Sequence, residues 1–407
     1  MRELLRHRDF RLLLAGQTLS MFGEWTLLLV FGIWAKTLTG SNAIAGLTVF
    51  AMVAPGLLAP FAGVVVDRLP RRAVMIGLNL ISAAVVCSLW LVQDRDQLWL
   101  LFAVAFWYGF SSVMFNAAIS GLVQAMLPID LVGPANGLLA TVRQGLRLIG
   151  PLAGAGLFAV AGGRWVATLD AATLVLASAV LLCLRHREVR VARQVVPFGV
   201  ELTAGLRHLW LSPLLRRLAL TTILFSVAIG VVEPTVYALV DDGLHRPPEF
   251  VGVLVSVQGA GAILGGVVVS SAIRRICEPS LIVVGLIVIA AGAGLCTIPA
   301  LPAALLGFGL VGVGIPTLGV AVATLLQRCT PNAVMGRVAA GYEMIGTVPT
   351  TASIAVGAML VGVWPYQVIL AITAVGCVAA ALSMLPARRT LTDAAAPAAT
   401  SPAVPAP

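Results

Sequence analysis

The chain has 407 residues, of which 59% are hydrophobic and only 11% charged, with a mean hydropathy of +1.01 and a formal net charge of +9. Soluble domains carry roughly 25% charged residues, so the composition excludes a water-soluble globular protein and points to a lipid bilayer. The positive excess marks no nucleic-acid partner, because the arginines are scattered between apolar runs and form no basic stripe.

About 20 apolar residues suffice to cross roughly 30 Å of hydrocarbon. Twelve such runs are predicted, beginning near Leu12, Asn42, Ala73, Leu98, Ala135, Trp165, Leu218, Val251, Leu281, Ala303, Val338 and Val363. A basic lead, Met1 to Arg11, precedes them at the membrane surface, where anionic lipid favours arginine. The first apolar run is too long for the core of a signal peptide, so it is expected to stay as the first span. It holds Gln17, Glu24 and Trp25, and Glu24 falls near the bilayer centre.

The second span, with Pro55 and Pro60, leads into a charged loop, Gly63-Val-Val-Val-Asp67-Arg68-Leu-Pro-Arg71-Arg72. The fourth span places Ser111, Ser112, Asn116 and Ser120 toward one face of an apolar helix. The fifth is expected to begin at Gly133-Pro134, with the proline in the first turn, where its missing donor is harmless. It carries Asn136, Arg143, Gln144 and Arg147, the two arginines four apart and so on one face. Gly145, Gly150-Pro151 and Gly154 follow.

The sixth span carries Asp170 and ends in the basic cluster Arg185 to Arg193. Phe198 to Leu211 reads as an interfacial helix with Phe198, Leu202, Leu206 and Leu209 on one side. Glu233-Pro234 and Tyr237 lie in the seventh span, Pro316 in the tenth, and Glu343 and Pro349 in the eleventh. Pro386 to Pro407 is alanine and proline with little to bury, so disorder is expected. The predicted organisation is a first six-helix bundle over 1–190, a linker over 191–213, a second bundle over 214–385 and a tail over 386–407.

The charged loop returns, weakened, as Gly266-Val-Val-Val-Ser270-Ser-Ala-Ile-Arg274-Arg275, shifted by 203 positions. Gly109 and Gly312, Gln124 and Gln327, Pro128 and Pro331, and Gly133 and Gly336 obey the same shift. Two parallel six-span repeats with sites between the halves are a known transporter plan. With the N-terminus in the cytoplasm, 20 of the 26 basic residues face inward, as the positive-inside rule requires.

The loop from Gly63 to Arg72 resembles the signature between the second and third spans of the major facilitator superfamily, and the resemblance extends from about Leu4 to Leu385. It implies an all-α membrane protein with twelve transmembrane helices in two pseudo-symmetric bundles. It also implies that Asp67 sits against the start of the eleventh span at Gly336-Arg337, while Arg68 or Arg71 reaches Asp130, latching the inner side. The alternative is that Arg68, Arg71 and Arg72 enforce topology. Gly145, Gly150, Pro151 and Gly154 are similar to the glycine-proline bend of the superfamily's antiporters, with the first spacing one residue longer; close helix packing explains the glycines equally well. Leu19-Ser-Met-Phe-Gly23-Glu24, Leu127-Pro-Ile-Asp130, Ala135-Asn136-Gly137 and Leu169-Asp170-Ala-Ala look like the macrolide-efflux and siderophore-export branch. That branch implies a drug or natural-product exporter driven by inward proton flow, in a bacterial inner membrane with both termini cytoplasmic.

Charged groups in hydrocarbon cost at least about 2.5 to 3.5 kcal/mol and usually mark function. Here they are Glu24, Arg143, Arg147, Asp170, Glu233 and Glu343. A carboxylate withdrawn from water holds its proton more readily, so Glu24 is the principal candidate for proton coupling, with Glu233 and Asp170 beside it. Asp170 and Glu343, taken as closer to span ends, also read as ion-lock partners. Arg143 and Arg147 either bind an anionic cargo or pair with Glu24. Gln17, Trp25, Asn116, Gln144, Tyr237 and Glu343 complete the candidate cargo cavity.

The seventh span lacks the amide ladder a sugar would need, so the favoured cargo is apolar or amphipathic. An anionic metabolite or siderophore is the alternative, and a transport-dead scaffold or sensor the third reading. The only lysine, Lys36, follows Ala35, so no phosphate-binding Gly-Lys-Ser/Thr loop is present. No hydrolase or zinc motif occurs and the six cysteines form no CxxC pair. No enzyme activity, cofactor or metal is expected, and the expected partners are a small molecule, protons and the bilayer, around a monomer.

Overall fold

The computed structural model describes residues 4–59, 62, 66, 69–184, 198–273, 275–331 and 334–395. Among them every regular element is a helix, as hydrocarbon demands of a chain that must satisfy its backbone internally. The first half contains α1 (Arg8–Thr39), α2 (Asn42–Val53), α3 (Arg71–Cys87), α4 (Leu98–Met126), α5 (Ile129–Ala161) and α6 (Gly163–Leu182). After α7 (Phe198–Leu211), the second half contains α8 (Pro213–Gly230), α9 (Val232–Ala238), α10 (Val251–Ala272), α11 (Glu278–Leu295), α12 (Leu301–Cys329), α13 (Met335–Leu360) and α14 (Tyr366–Ala395).

Eleven of the described helices are long and apolar enough to cross a membrane, α8 and α9 running together as one. The second expected span is seen as the shorter apolar helix Asn42–Leu58, α2 tightening into a 3-10 turn from Ala54 to Leu58. Each predicted apolar run thus coincides with a helix.

The ends have local causes. Gly40 takes φ 71 and donates its N–H to the Lys36 carbonyl, closing α1; Ser41 then caps α2 by accepting from the Ile44 N–H at 3.4 Å. Arg95 caps the last carbonyls of α1 at Leu38 and Thr39. On the same side of the membrane Trp90 stacks edge-on with Trp165 at 6.0 Å and donates to Thr168 at 2.9 Å, a placement typical of the membrane interface.

Two expectations change. The fifth span starts at Ile129, so Pro134 lies inside α5 and not in its first turn. The helix starts earlier because Pro128 occupies the cap position and Asp130 sits in the first turn, where the dipole favours an anion. Gly133 and Pro134 are exposed, so water can meet the carbonyl that the proline leaves without its donor. The last helix continues to Ala395, past the point where the tail was expected to lose structure; residues 396–407 lie outside the description, as does the basic cluster over 185–193. The helix expected at Phe198 to Leu211 is present, with Leu209 fully buried and Gly205 packed on the Arg337 backbone of α13. The side chains of Phe198 and Leu202 are outside the described set.

Helices α1–α6 and α8–α14 form two bundles. Between them the tight contacts lie at the membrane midplane and on the side away from the termini. Tyr237 packs against Gly32, Pro234 against Gly46, and Gly252 against Ala155 and Pro151. Lys36 makes a salt bridge with Asp241 across the same boundary. Toward the termini the bundles separate, and the first half of α5 is largely exposed from Gly133 to Gln144.

Candidate functional site

Glu24 sits near the middle of α1, half-buried, and accepts a hydrogen bond from Ser112 Oγ of α4 at 2.9 Å. Asn116, one turn along α4, donates to the Ser112 carbonyl at 2.9 Å and lies 3.5 Å from its hydroxyl. Arg143 of α5 donates in turn to Asn116 Oδ1 at 3.4 Å. A chain of polar groups therefore runs from Arg143 through Asn116 and Ser112 to Glu24. These residues, with Gln17, Asn79 and Tyr108, line a cavity of about 230 Å³ inside the first bundle.

Asp170 of α6 stands directly behind. It is fully buried, and Tyr108 Oη donates to its Oδ1 at 2.9 Å while Oδ2 has no partner. Gly23 makes this approach possible, since a methyl group there would fall 2.2 Å from Asp170 Oδ1. Asp170 is well inside α6 rather than at a wet end, and Tyr108 is its described partner. The expected ion lock is therefore absent among the described residues.

A second cavity, about 180 Å³, lies between the bundles and is walled by aliphatic groups such as Leu29, Val236, Val255 and Ile315, with Phe308. Into it face Glu233, Tyr237, Arg147 and Pro151. Arg147 lies over the Trp25 ring, 5.8 Å from its centroid, a distance at which a cation is attracted by the ring face. Trp25 borders both cavities. A third space of about 260 Å³, lined by Asn136, Arg143, Gln144 and Gln17, continues the polar cavity toward the open side.

The structure thus gathers Gln17, Glu24, Trp25, Asn116, Arg143, Gln144, Arg147, Glu233 and Tyr237 along one connected path. Glu343 is the exception: it is exposed on α13 and lines none of the three cavities. Neither arginine forms a salt bridge with Glu24 or Glu233 among the described residues. Arg143 donates to Asn116, and Arg147 rests on an aromatic ring.

Gly150 and Gly154 seat α5 against Trp25 and Thr26 of α1, whereas Gly145 faces open space. In the charged loop Gly63, Asp67 and Arg68 lie outside the described residues. Arg71 donates to the Gly121 carbonyl at 3.2 Å, and Arg72 caps α6 through Leu181 and Leu182 at 2.9 and 2.7 Å. Asp130 and Gly336 are exposed near the starts of α5 and α13.

Sequence reasoning missed Tyr108, Asn79 and the Lys36–Asp241 pair. Asn79 is the one large polar group in the interior of α3, and that isolation was the available signal. For Lys36 the signal was its being the only lysine in the chain.

Two pseudo-symmetric helical bundles enclosing a central, partly polar cavity open on one side are the architecture of alternating-access membrane transporters. The family model described as Major Facilitator Superfamily matches residues 13–348, and the chain belongs to that family. It is 28% identical over 261 residues to an uncharacterized MFS-type transporter, YfiS, of Bacillus subtilis (strain 168), covering 62% of this chain and 61% of that relative. It is 26% identical over 328 residues to the multidrug resistance protein MdtG of Escherichia coli (strain SMS-3-5 / SECEC), covering 78% of each. Among solved structures, a POT family transporter in complex with 5-aminolevulinic acid superposes with a TM-score of 0.76 at 11% identity, covering 95% of this chain and 97% of that one.

Proposed function

We propose that the protein exports hydrophobic or amphipathic small molecules from a bacterial cell in exchange for protons. In this reading both termini are cytoplasmic, and the bundles are captured open toward the cytoplasm. The observation that carries it is the meeting, at Trp25, of an aliphatic cavity between the bundles with a polar cavity holding Glu24 at mid-membrane. Cargo has an apolar wall to bind, and a carboxylate within reach of the open side has a proton to exchange. The similarity to a protein named for multidrug resistance agrees with this direction and cargo.

Glu24 is the principal coupling group, Glu233 the carboxylate nearest the cargo, and Asp170 a buried reserve behind Tyr108. The test is dye efflux from proteoliposomes under an imposed pH gradient. Glu24→Gln should uncouple efflux from the gradient, and full gradient-driven efflux by that variant would remove Glu24 from the mechanism.

A second reading, export of an anionic metabolite or siderophore, is favoured by one observation: Arg143 and Arg147 face the cavities with no salt bridge to a carboxylate among the described residues. Loss of anion export in Arg147→Ala with dye efflux intact would select it.

A further inference from the structure

We propose that the polar cavity of the first bundle is a head-group compartment. It selects a neutral head that both donates and accepts hydrogen bonds, such as a carboxamide, while the apolar body of the same molecule lies between the bundles. This rests on the export reading and narrows its substrate class.

Two side chains carry the inference. Gln17, 5% exposed, has no partner for its Oε1, and Asn79, 2% exposed, has none for its Nδ2. Both line the polar cavity. Several of the other polar groups there are already committed. Ser82 Oγ receives Trp107 Nε1 at 3.1 Å and donates to Ser111 at 3.0 Å, Ser112 serves Glu24, and Tyr108 serves Asp170. Among the described residues, one buried acceptor on α1 and one buried donor on α3 thus lack a partner. A buried polar group left unpaired is costly, so a site of this kind favours a ligand that completes it and rejects the analogue that cannot.

Charge narrows the head further. Glu24 and Arg143 both border the space, so their formal charges offset each other. An ammonium gains from Glu24 what it loses to Arg143, and a carboxylate the reverse, so neither charged head recovers the cost of leaving water, a cost that a neutral amide largely avoids. At about 230 Å³ the compartment falls below the usual range for a whole drug-sized ligand, roughly 300 to 1,000 Å³. Trp25, shared with the aliphatic cavity, marks where head passes into body.

The test uses four probes with one 2-naphthyl tail: 2-naphthylacetamide, 2-(2-naphthyl)ethylamine, 2-naphthylacetate and 2-ethylnaphthalene. Affinities are measured by calorimetry on the purified full chain in lipid nanodiscs, and efflux of the same probes is followed in proteoliposomes. The amide should bind about tenfold more tightly than the other three, the scale of one satisfied buried hydrogen bond. In Asn79→Leu and Gln17→Leu the amide should fall to the affinity of the headless probe. Should Asn79→Leu fail to fold, Asn79→Asp keeps the shape, replaces the donor by an acceptor, and should erase the preference equally.

Equal binding of the amide and 2-ethylnaphthalene, or tightest binding of the amine or carboxylate, overturns the proposal. Efflux of the probes without any head preference sinks the compartment and leaves the export reading standing. Head-dependent binding without efflux supports the compartment and sinks the export reading.

Discussion

Gly109 of α4 lies so close to α2 that a methyl group there would fall 1.8 Å from the Met52 carbonyl oxygen. Gly312 of α12, its counterpart one repeat later, would meet the Gln258 carbonyl oxygen of α10 at 2.0 Å. The two bundles thus reuse the same crossing, and the chemistry laid on that shared frame differs. Under the shift of 203 positions, Glu24, Asn79, Tyr108 and Ser112 become Val227, Ile282, Val311 and Ile315. Val311 and Ile315 wall the aliphatic cavity, while Tyr108 and Ser112 wall the polar one. Helix crossings constrain both copies alike, because an added Cβ would collide with backbone in either. The cavity linings carry no such constraint, so one copy can hold the hydrogen-bonding groups and the other a dry wall against which an apolar body slides.

The largest expected effect tests whether charge matters only where it lines a cavity. Glu24→Gln should lower gradient-driven efflux by about 100-fold, equivalent to ~2.7 kcal/mol at ~1.36 kcal/mol per tenfold. Glu343→Gln, outside the three cavities, should stay within about threefold. Comparable losses in the two variants would break the division between carboxylates that line a cavity and those that do not.

The shared frame predicts matched damage. Gly109→Ala and Gly312→Ala both force a methyl group onto a carbonyl oxygen of the neighbouring helix, so each should cost about 1 to 3 kcal/mol, the usual range for overpacking. Thermal unfolding in one detergent compares them directly. A destabilised Gly109→Ala beside an unaffected Gly312→Ala would show that the second copy has relaxed away from the first.

Asp170 and Thr373 occupy equivalent places, and both are fully buried. Thr373 satisfies itself through the Ile369 carbonyl at 3.0 Å, whereas Asp170 depends on Tyr108. Tyr108→Phe should therefore cost about 1 to 3 kcal/mol of stability, the penalty for a buried group losing its partner. Thr373→Val removes donor and polar side chain together and should cost under about 1 kcal/mol. Equal losses would mean that Asp170 finds another partner once Tyr108 is gone.

The spans were legible in the sequence because hydrocarbon forces every crossing segment into a long apolar helix, and a run such as Leu98 to Met126 admits no other reading. The membership of the site was legible in part. Glu24, Arg143 and Arg147 announce themselves by the cost of a charge at depth, and Ser112 and Asn116 by their helical spacing on α4. Asn79 and Tyr108 did not, since a single amide or phenol in a span is cheap enough to face anywhere. Which way α4 turns is decided by packing around Gly109 against Met52 of α2. Glu343 misled for the converse reason: its charge satisfies the same sequence criterion as Glu24, yet α13 carries it outside the cavities.

The smallest expected effect concerns the side where the bundles meet. Lys36 joins α1 to the turn after α9 through Asp241, and its Nζ also donates to the Gly40 carbonyl at 2.9 Å. The side chains are 9% and 47% exposed respectively, so the two partners are not equivalent. Replacing Asp241 by Asn leaves a buried ammonium without its counter-charge, while removing Lys36 leaves a carboxylate that water can serve. Asp241→Asn should therefore loosen this face by about 1 kcal/mol and Lys36→Met by about half as much, values kept low because one partner is half in solvent. Ala43, which packs near Gly362 at this boundary, can carry a reporter cysteine in a background lacking the exposed native ones. Its labelling by a membrane-impermeant maleimide should quicken about fivefold in Asp241→Asn and about twofold in Lys36→Met, the span that ~1 kcal/mol permits. The exchanged pair, Lys36→Asp with Asp241→Lys, moves the ammonium to the wetter position and should recover only part of the closure. Full recovery would mean that the attraction alone holds the bundles, and that the buried setting of Lys36 contributes nothing to which side stays shut.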